Sequence, residues 1–204
     1  MLKIMNKIES ALQRTRDTKA LFIGKGVVAR TAEMFNKLFP GKTAVIIADT
    51  NTWEVAGKAV EASLQEAGVP MAEKLVIDDP ELYAEWRFIE MIEDFLKDRD
   101  VIAIAVGSGV INDLTKLVSG RLGRKYMCVG TAVSMDGYTA YGASITKDGN
   151  KETYDCPAPY GFVMDPEIAA EAPKELAASG YADRIAKIPA AADWMLADVT
   201  GNEK

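Results

Sequence analysis

Four short apolar runs, ALFIG (20–24), TAVIIAD (43–49), VIAIAV (101–106) and YMCVGTAV (126–133), alternate with longer stretches of helical periodicity. This alternation constrains the fold more than any other feature. A strand that is apolar throughout needs cover on both faces, and a parallel sheet with crossover helices supplies it. The intervening helices are expected over 27–39, stopped by Pro40-Gly41, over 52–68, over 80–98 and after the glycine turn at 107–109. EKLVID and YGFVMDP add two more strands, and ITK and KETY flank Asp148-Gly149-Asn150, the signature of a β-hairpin. Beyond Asp165-Pro166 the chain is alanine-rich and reads as wholly helical. The expected organisation is an α/β domain over 1–164 and the beginning of a helical domain over 165–204.

Composition narrows the partners. The 204 residues are 49% hydrophobic and carry a net charge of −6, with no basic stripe. Nucleic acid and anionic membranes are therefore poor partners, and small molecules are better ones. No apolar run approaches the roughly 18 residues of a membrane span. The N-terminal run MLKIMNKIESALQRTRD is charged throughout and is no signal peptide, so a cytoplasmic location is expected. Cys128 and Cys156 sit in no metal-type spacing and are expected as buried thiols. The chain has no histidine.

Gly107-Ser108-Gly109 follows a buried strand and opens a helix. Such a turn lets free N–H groups and the helix dipole meet an anion; it is equally a plain tight turn. Asn112 stands where GxGxxG has its third glycine, and the turn follows the fourth strand, so an ordinary Rossmann domain is disfavoured. Asp49, at the end of the second strand, suits ribose hydroxyls and disfavours a 2′-phosphate, or else caps the next helix. Asp113 and Lys116, spaced i,i+3, are expected as a solvated ion pair. The loop GTAVSMDGYTAYG (130–142) lies where open α/β sheets bind ligands, and it offers Thr131, Ser134, Asp136 and Thr139. Asp183, early in an alanine-rich helix, could cap or pair with Lys187.

GSGVINDLTK, GTAVSMDGYTAYGASIT, the Asp-Pro after the last strand and GYADRIAK together resemble the iron-containing alcohol dehydrogenase superfamily. Within it the resemblance is to the sn-glycerol-1-phosphate dehydrogenase group. It implies a Rossmann-like parallel sheet with helices on both faces and a hairpin, followed by the start of an α-helical domain. It further implies an NAD(P)- and metal-dependent enzyme interconverting sn-glycerol 1-phosphate and dihydroxyacetone phosphate, forming a homo-oligomer. Carried over by residue, Gly107, Ser108, Gly109, Val110 and Ile111 would hold the pyrophosphate and Asp49 the adenosine ribose. Thr131, Ala132, Val133 and Ser134 would line the nicotinamide, Asp136 would bind substrate, and Asp183 would ligate zinc, nickel or iron as well as substrate.

The sequence departs from the family pattern at Ala140, where a serine is expected, and at Ala182, where a glycine is. The family completes its metal site with histidines, which this sequence lacks, so the expectation is an incomplete form of the enzyme. A 3-dehydroquinate synthase relative is a further alternative, but its metal ligand at the matching position would be glutamate, so Asp183 argues against it. SMDGY favours the phosphorylated substrate over glycerol or another alcohol. A nucleotide-binding module without catalysis is the remaining alternative.

Overall fold

The structure, a computed structural model, describes residues 2–202, with side chains described from residue 7. In chain order the elements are α1 Leu2–Arg14, β1 Ala20–Ile23, a 3-10 turn Val27–Arg30, α2 Thr31–Leu38 and β2 Thr43–Asp49. α3 Thr50–Thr52, a π-turn Trp53–Gly57 and α4 Lys58–Glu66 follow as one continuous helical stretch, then β3 Leu75–Ile77, α5 Trp86–Leu96 and β4 Val101–Gly107. The second half holds α6 Gly109–Arg121, β5 Met127–Gly130, β6 Ala143–Lys147, β7 Asn150–Tyr154, β8 Gly161–Met164, α7 Pro166–Glu171 and α8 Lys174–Thr200.

Six strands form one parallel sheet in the order β1-β8-β5-β4-β2-β3. Along β2 the side chains divide by parity. Val45 and Ile47 face α5 and α6 in a core with Phe88, Ile92, Ile111 and Leu114. Ala44, Ile46 and Ala48 face α2 and α4 in a core with Met34, Phe35, Val60 and Leu64. Both parities are apolar because both faces are covered, which is what the uninterrupted runs encode. Burial of this kind stabilises at about 25 cal/mol per Å² of apolar surface. The sheet reverses its winding between β2 and β4, since β2 leads outward to β3 while β4 leads the other way to β5. Ligands of open α/β sheets bind beyond the carboxyl ends of the strands at such a point.

β6 and β7 form the expected hairpin, turning through Asp148 and Gly149 at φ 51° and 77°, a left-handed pair suited to Asp-Gly. Two boundaries and one helix interior differ from the sequence expectation. The helix expected from residue 80 begins at Trp86, because Glu85 forms a bridge with Thr146 of β6 and the Thr146 N–H donates to the Ala84 carbonyl at 2.7 Å. The strand expected to run to Val133 stops at Gly130. There the Thr131 N–H donates to the Gly107 carbonyl at 3.1 Å, and the chain then leaves the sheet. The helix after Asp49 contains the π-turn, where the Trp53 indole occupies the space a Cβ at Gly57 would need.

Both cysteines are free and buried, as expected, and burial pushes the Cys156 thiol up to about 11. Among the described residues no helix is long and apolar enough to cross a membrane. α8 has no buried residue; Tyr181, Ile188, Trp194, Met195, Leu196 and Val199 along it are all at least 62% exposed.

Candidate functional site

A cavity of about 490 Å³ opens at the winding reversal. Asp49 from the end of β2, Ser108 from the β4–α6 turn and Thr131 and Ala132 from the end of β5 form its floor. Ile168, Glu171, Ala172, Pro173 and Leu176 of α7 and the start of α8 close it from above. Ser108 is the N-cap of α6 but makes no side-chain cap hydrogen bond, which leaves the first-turn N–H groups without that partner. The floor thus carries an open positive helix end, the ordinary seat of a phosphate. Asp49 and Glu171 are the only charged residues among those that line the cavity.

Of the two readings of Asp49, the structure shows the cap. One carboxylate oxygen accepts from the N–H groups of Asn51 and Thr52, each at 2.9 Å, and the other from the Thr52 hydroxyl at 3.0 Å. The Thr52 hydroxyl in turn accepts from the Asp49 N–H at 3.1 Å, completing a capping box. Capping fixes the carboxylate at the cavity wall. The glycines have a different reason from ligand approach. A Cβ on Gly107 would lie 2.6 Å from the Ile111 Cβ, and one on Gly109 3.0 Å from the Met135 sulfur. Ile111 is fully buried beneath that turn.

Lys116 corrects the expectation of a solvated ion pair. Its side chain is 1% exposed. The ammonium donates to the carbonyls of Gly137, Ala140 and Gly142 at 3.3, 3.2 and 3.1 Å and lies 3.4 Å from Asp113 Oδ1. A buried charge is tolerated only when paired and hydrogen-bonded, and here the loop after β5 supplies the acceptors. Asn112 and Tyr138 extend the same scaffold. The Asn112 amide reaches the Tyr138 carbonyl at 3.5 Å and accepts from the buried Tyr126 hydroxyl at 3.0 Å, while the Tyr138 hydroxyl donates to the Ala132 carbonyl at 2.7 Å. Burial holds the Asp113 carboxyl above the ordinary carboxylate range, against the opposing pull of Lys116.

Asp136 and Asp183 meet outside this cavity. Asp183 Oδ2 accepts the Asp136 N–H at 2.9 Å, and Asp183 Oδ1 accepts from Lys187 Nζ at 2.9 Å. The same ammonium lies 3.4 Å from Asp136 Oδ1. Lys187 first, and then the Asp136 N–H, hold the Asp183 carboxyl below its usual range. Gly180 makes the meeting possible, since a Cβ there would overlap the Val133 carbonyl oxygen. Val133 is itself 48% exposed and Ser134 half-buried on this outer stretch of the loop.

The structure brings Asp49, Ser108, Thr131 and Ala132 to one cavity and Asp136 and Asp183 to one junction, whereas Gly107, Gly109, Val110, Ile111, Val133 and Ser134 are not among the residues that line the cavity. Sequence reasoning missed the α7 and α8 wall, the Lys116 scaffold and Gly180. Among the described residues no cluster of three or more His, Cys, Asp or Glu side chains could hold a metal ion. Asp183 already holds an ammonium. The residues present do not fit a divalent metal.

The sequence model of the family described as iron-containing alcohol dehydrogenase matches residues 22–173, most of the sheet and the whole cavity floor. The chain belongs to the iron-containing alcohol dehydrogenase family. A glycerol-1-phosphate dehydrogenase [NAD(P)+] of Halalkalibacterium halodurans is 31% identical over 161 residues, covering 78% of this chain and 40% of the relative. One of Pyrococcus furiosus with the same name is 32% identical over 180 residues, covering 88% and 50%. The chain thus spans half or less of the length of these relatives. Among solved structures, an NADH-dependent butanol dehydrogenase A of Thermotoga maritima superposes with TM-score 0.71 at 18% identity, over 84% of this chain and 48% of that one. A glycerol dehydrogenase of Schizosaccharomyces pombe superposes with TM-score 0.69 at 21% identity, over 82% and 42%. At such identities the likeness is one of fold, and it agrees with the doubly covered sheet of this family member.

Proposed function

We propose that this iron-containing alcohol dehydrogenase family member binds NAD or NADP in the cavity above β2, β4 and β5. Residues 1–164 would form the dinucleotide-binding domain of a dehydrogenase interconverting sn-glycerol 1-phosphate and dihydroxyacetone phosphate, with a helical domain opening at 165. The observation that carries this reading is the uncapped α6 N-terminus at the winding reversal, with Asp49 fixed on the neighbouring strand end. The pyrophosphate would lie against the N–H groups of Gly109, Val110 and Ile111, and the adenosine ribose against Asp49. Thr131 to Ser134 would face the nicotinamide, which when bound supplies or takes the hydride. Asp136 would orient the substrate. Asp183, taken up by Lys187 and the Asp136 N–H, does not fit the metal-ligand role that the resemblance implies.

NADH titration followed by fluorescence tests the nucleotide site, and dihydroxyacetone phosphate reduction with added zinc, nickel or iron tests the chemistry. Saturable NADH binding without turnover would favour the non-catalytic nucleotide-binding module, a reading that the Lys187–Asp183 pair also favours. The cavity lining also supports a preference between the two nucleotides. Asp49 and Glu171 line it and no Lys or Arg does, so a 2′-phosphate would meet two carboxylates and no cation. NADH is expected to bind at least tenfold more tightly than NADPH, about 1.4 kcal/mol. Asp49→Asn, which retains an oxygen for the cap, should narrow that gap; equal affinities in the unaltered protein would refute the preference.

The exposed apolar residues of α8 bear on assembly. Large contiguous apolar surface marks an interaction site, and the family resemblance implies a homo-oligomer. Light scattering is expected to give a mass above that of one chain, and a monomer at high concentration would remove this part of the proposal.

A further inference from the structure

The junction between the loop after β5 and α8 is held by one ammonium between two carboxylates. Lys187 Nζ is 2.9 Å from Asp183 Oδ1 and 3.4 Å from Asp136 Oδ1, and Asp183 Oδ2 is taken by the Asp136 N–H. A divalent cation approaching Asp183 through Oδ1 would meet that ammonium. We propose that Lys187 is the resident cation of this junction, closing it without a metal, and that a divalent ion gains Asp183 only by displacing Lys187. The inference rests on the reading of Asp183 as a cation-facing carboxylate.

The geometry supports a positioning role for Lys187. Asp183 and Lys187 are one helical turn apart, so the ammonium reaches Oδ1 within a regular helix. Contact with Asp136 is different in kind, because that residue comes from another element 47 positions earlier than Asp183. The Gly180 approach to the Val133 carbonyl brings the two elements together, and Lys187 then offsets the repulsion of the two carboxylates. Its side chain is 57% exposed, so it can leave without disturbing the core. No other Lys or Arg side chain forms an ion pair with Asp136 or Asp183 among the described residues.

Mn²⁺ binding by the full chain, followed by electron paramagnetic resonance, tests this directly. Removing a positive charge a few ångströms from a divalent ion raises its affinity by about tenfold or more. Lys187→Met is expected to bind Mn²⁺ at least tenfold more tightly than the unaltered protein, and Lys187→Arg, which keeps the charge, to bind as weakly as the unaltered protein. Adding Asp183→Asn to Lys187→Met should abolish the gain. In hydrogen exchange, the Asp136 amide of the unaltered protein should exchange at the same rate with and without EDTA, and faster in Lys187→Met. Equal Mn²⁺ affinity in the unaltered protein and Lys187→Met, or an Asp136 amide that EDTA exposes, would overturn the proposal. NADH titration of the same proteins reports on the nucleotide site separately, so its failure is told apart from the failure of this inference.

Discussion

Replacing Lys116 by Met is expected to lower the stability of the fold by about 3 kcal/mol, the scale seen when one partner of a buried ion pair is removed. For a chain of this size that is a fall in melting temperature of roughly 6 to 12 °C. Methionine fills much of the aliphatic space, so the loss reports on the ammonium. Without it the carbonyls of Gly137, Ala140 and Gly142 lose a shared donor, and Asp113, whose side chain is only 15% exposed, loses its counter-charge. The effect should depend on pH. Burial raises the folded-state pKa of Asp113 above its unfolded value of about 3.9. Ionised Asp113 therefore weighs against the fold above its folded pKa, and this penalty disappears as pH falls below the unfolded value. Removing Lys116 raises the folded value further and enlarges the penalty. The deficit of Lys116→Met against the unaltered protein should be largest near pH 7 and smaller near pH 4. Urea unfolding at the two pH values measures it, and a deficit under 1 kcal/mol at pH 7 would show that the carbonyl cage adds little.

Lys116 also shows where sequence reading stops. The sheet was legible because its strands are apolar at both parities, a pattern that depends only on local order. The hairpin was legible because Asp148-Gly149 is a local turn code. Asp113 and Lys116 at i,i+3 carry no such mark: the spacing is that of a solvated pair. What buries Lys116 is a set of backbone carbonyls 21 to 26 residues further along, and carbonyls leave no trace in residue type. The same holds for the start of α5, delayed by the Glu85–Thr146 bridge, and for Gly180, whose need for a missing side chain comes from the Val133 carbonyl. The strand ends and the glycine turn beside the cavity are local features, and so were legible in the sequence. The cavity's α7 and α8 wall was not, since nothing in Ile168, Glu171 or Leu176 says which strand ends they will overhang.

Gly107→Ala is expected to weaken NADH binding by at least a hundredfold, about 2.7 kcal/mol. The reason lies in Ile111. A Cβ at residue 107 would stand 2.7 Å from the Ile111 Cγ1 and 2.6 Å from its Cβ, an atom fixed by the backbone that no rotamer change can carry away. The first turn of α6 must then move off the end of β4, and with it the N–H groups proposed to hold the pyrophosphate. Overpacking of this kind also costs about 1 to 3 kcal/mol of stability, so the variant needs controls that separate weak binding from poor folding. Gly109→Ala is one, from the same turn: its new methyl meets the flexible Met135 thioether at 3.0 Å, which can swing aside, and its binding loss should be much smaller. Gly24→Ala at the end of β1 is another, with Val27 Cγ1 at an ordinary 3.5 Å and no change in binding expected. A plain tight turn would tolerate a moved helix start without any effect on NADH. If Gly107→Ala, folded by circular dichroism, binds NADH as the unaltered protein does, the anion does not sit on this turn. A graded loss from Gly107 through Gly109 to Gly24 would instead tie nucleotide affinity to how closely the start of α6 packs on the end of β4.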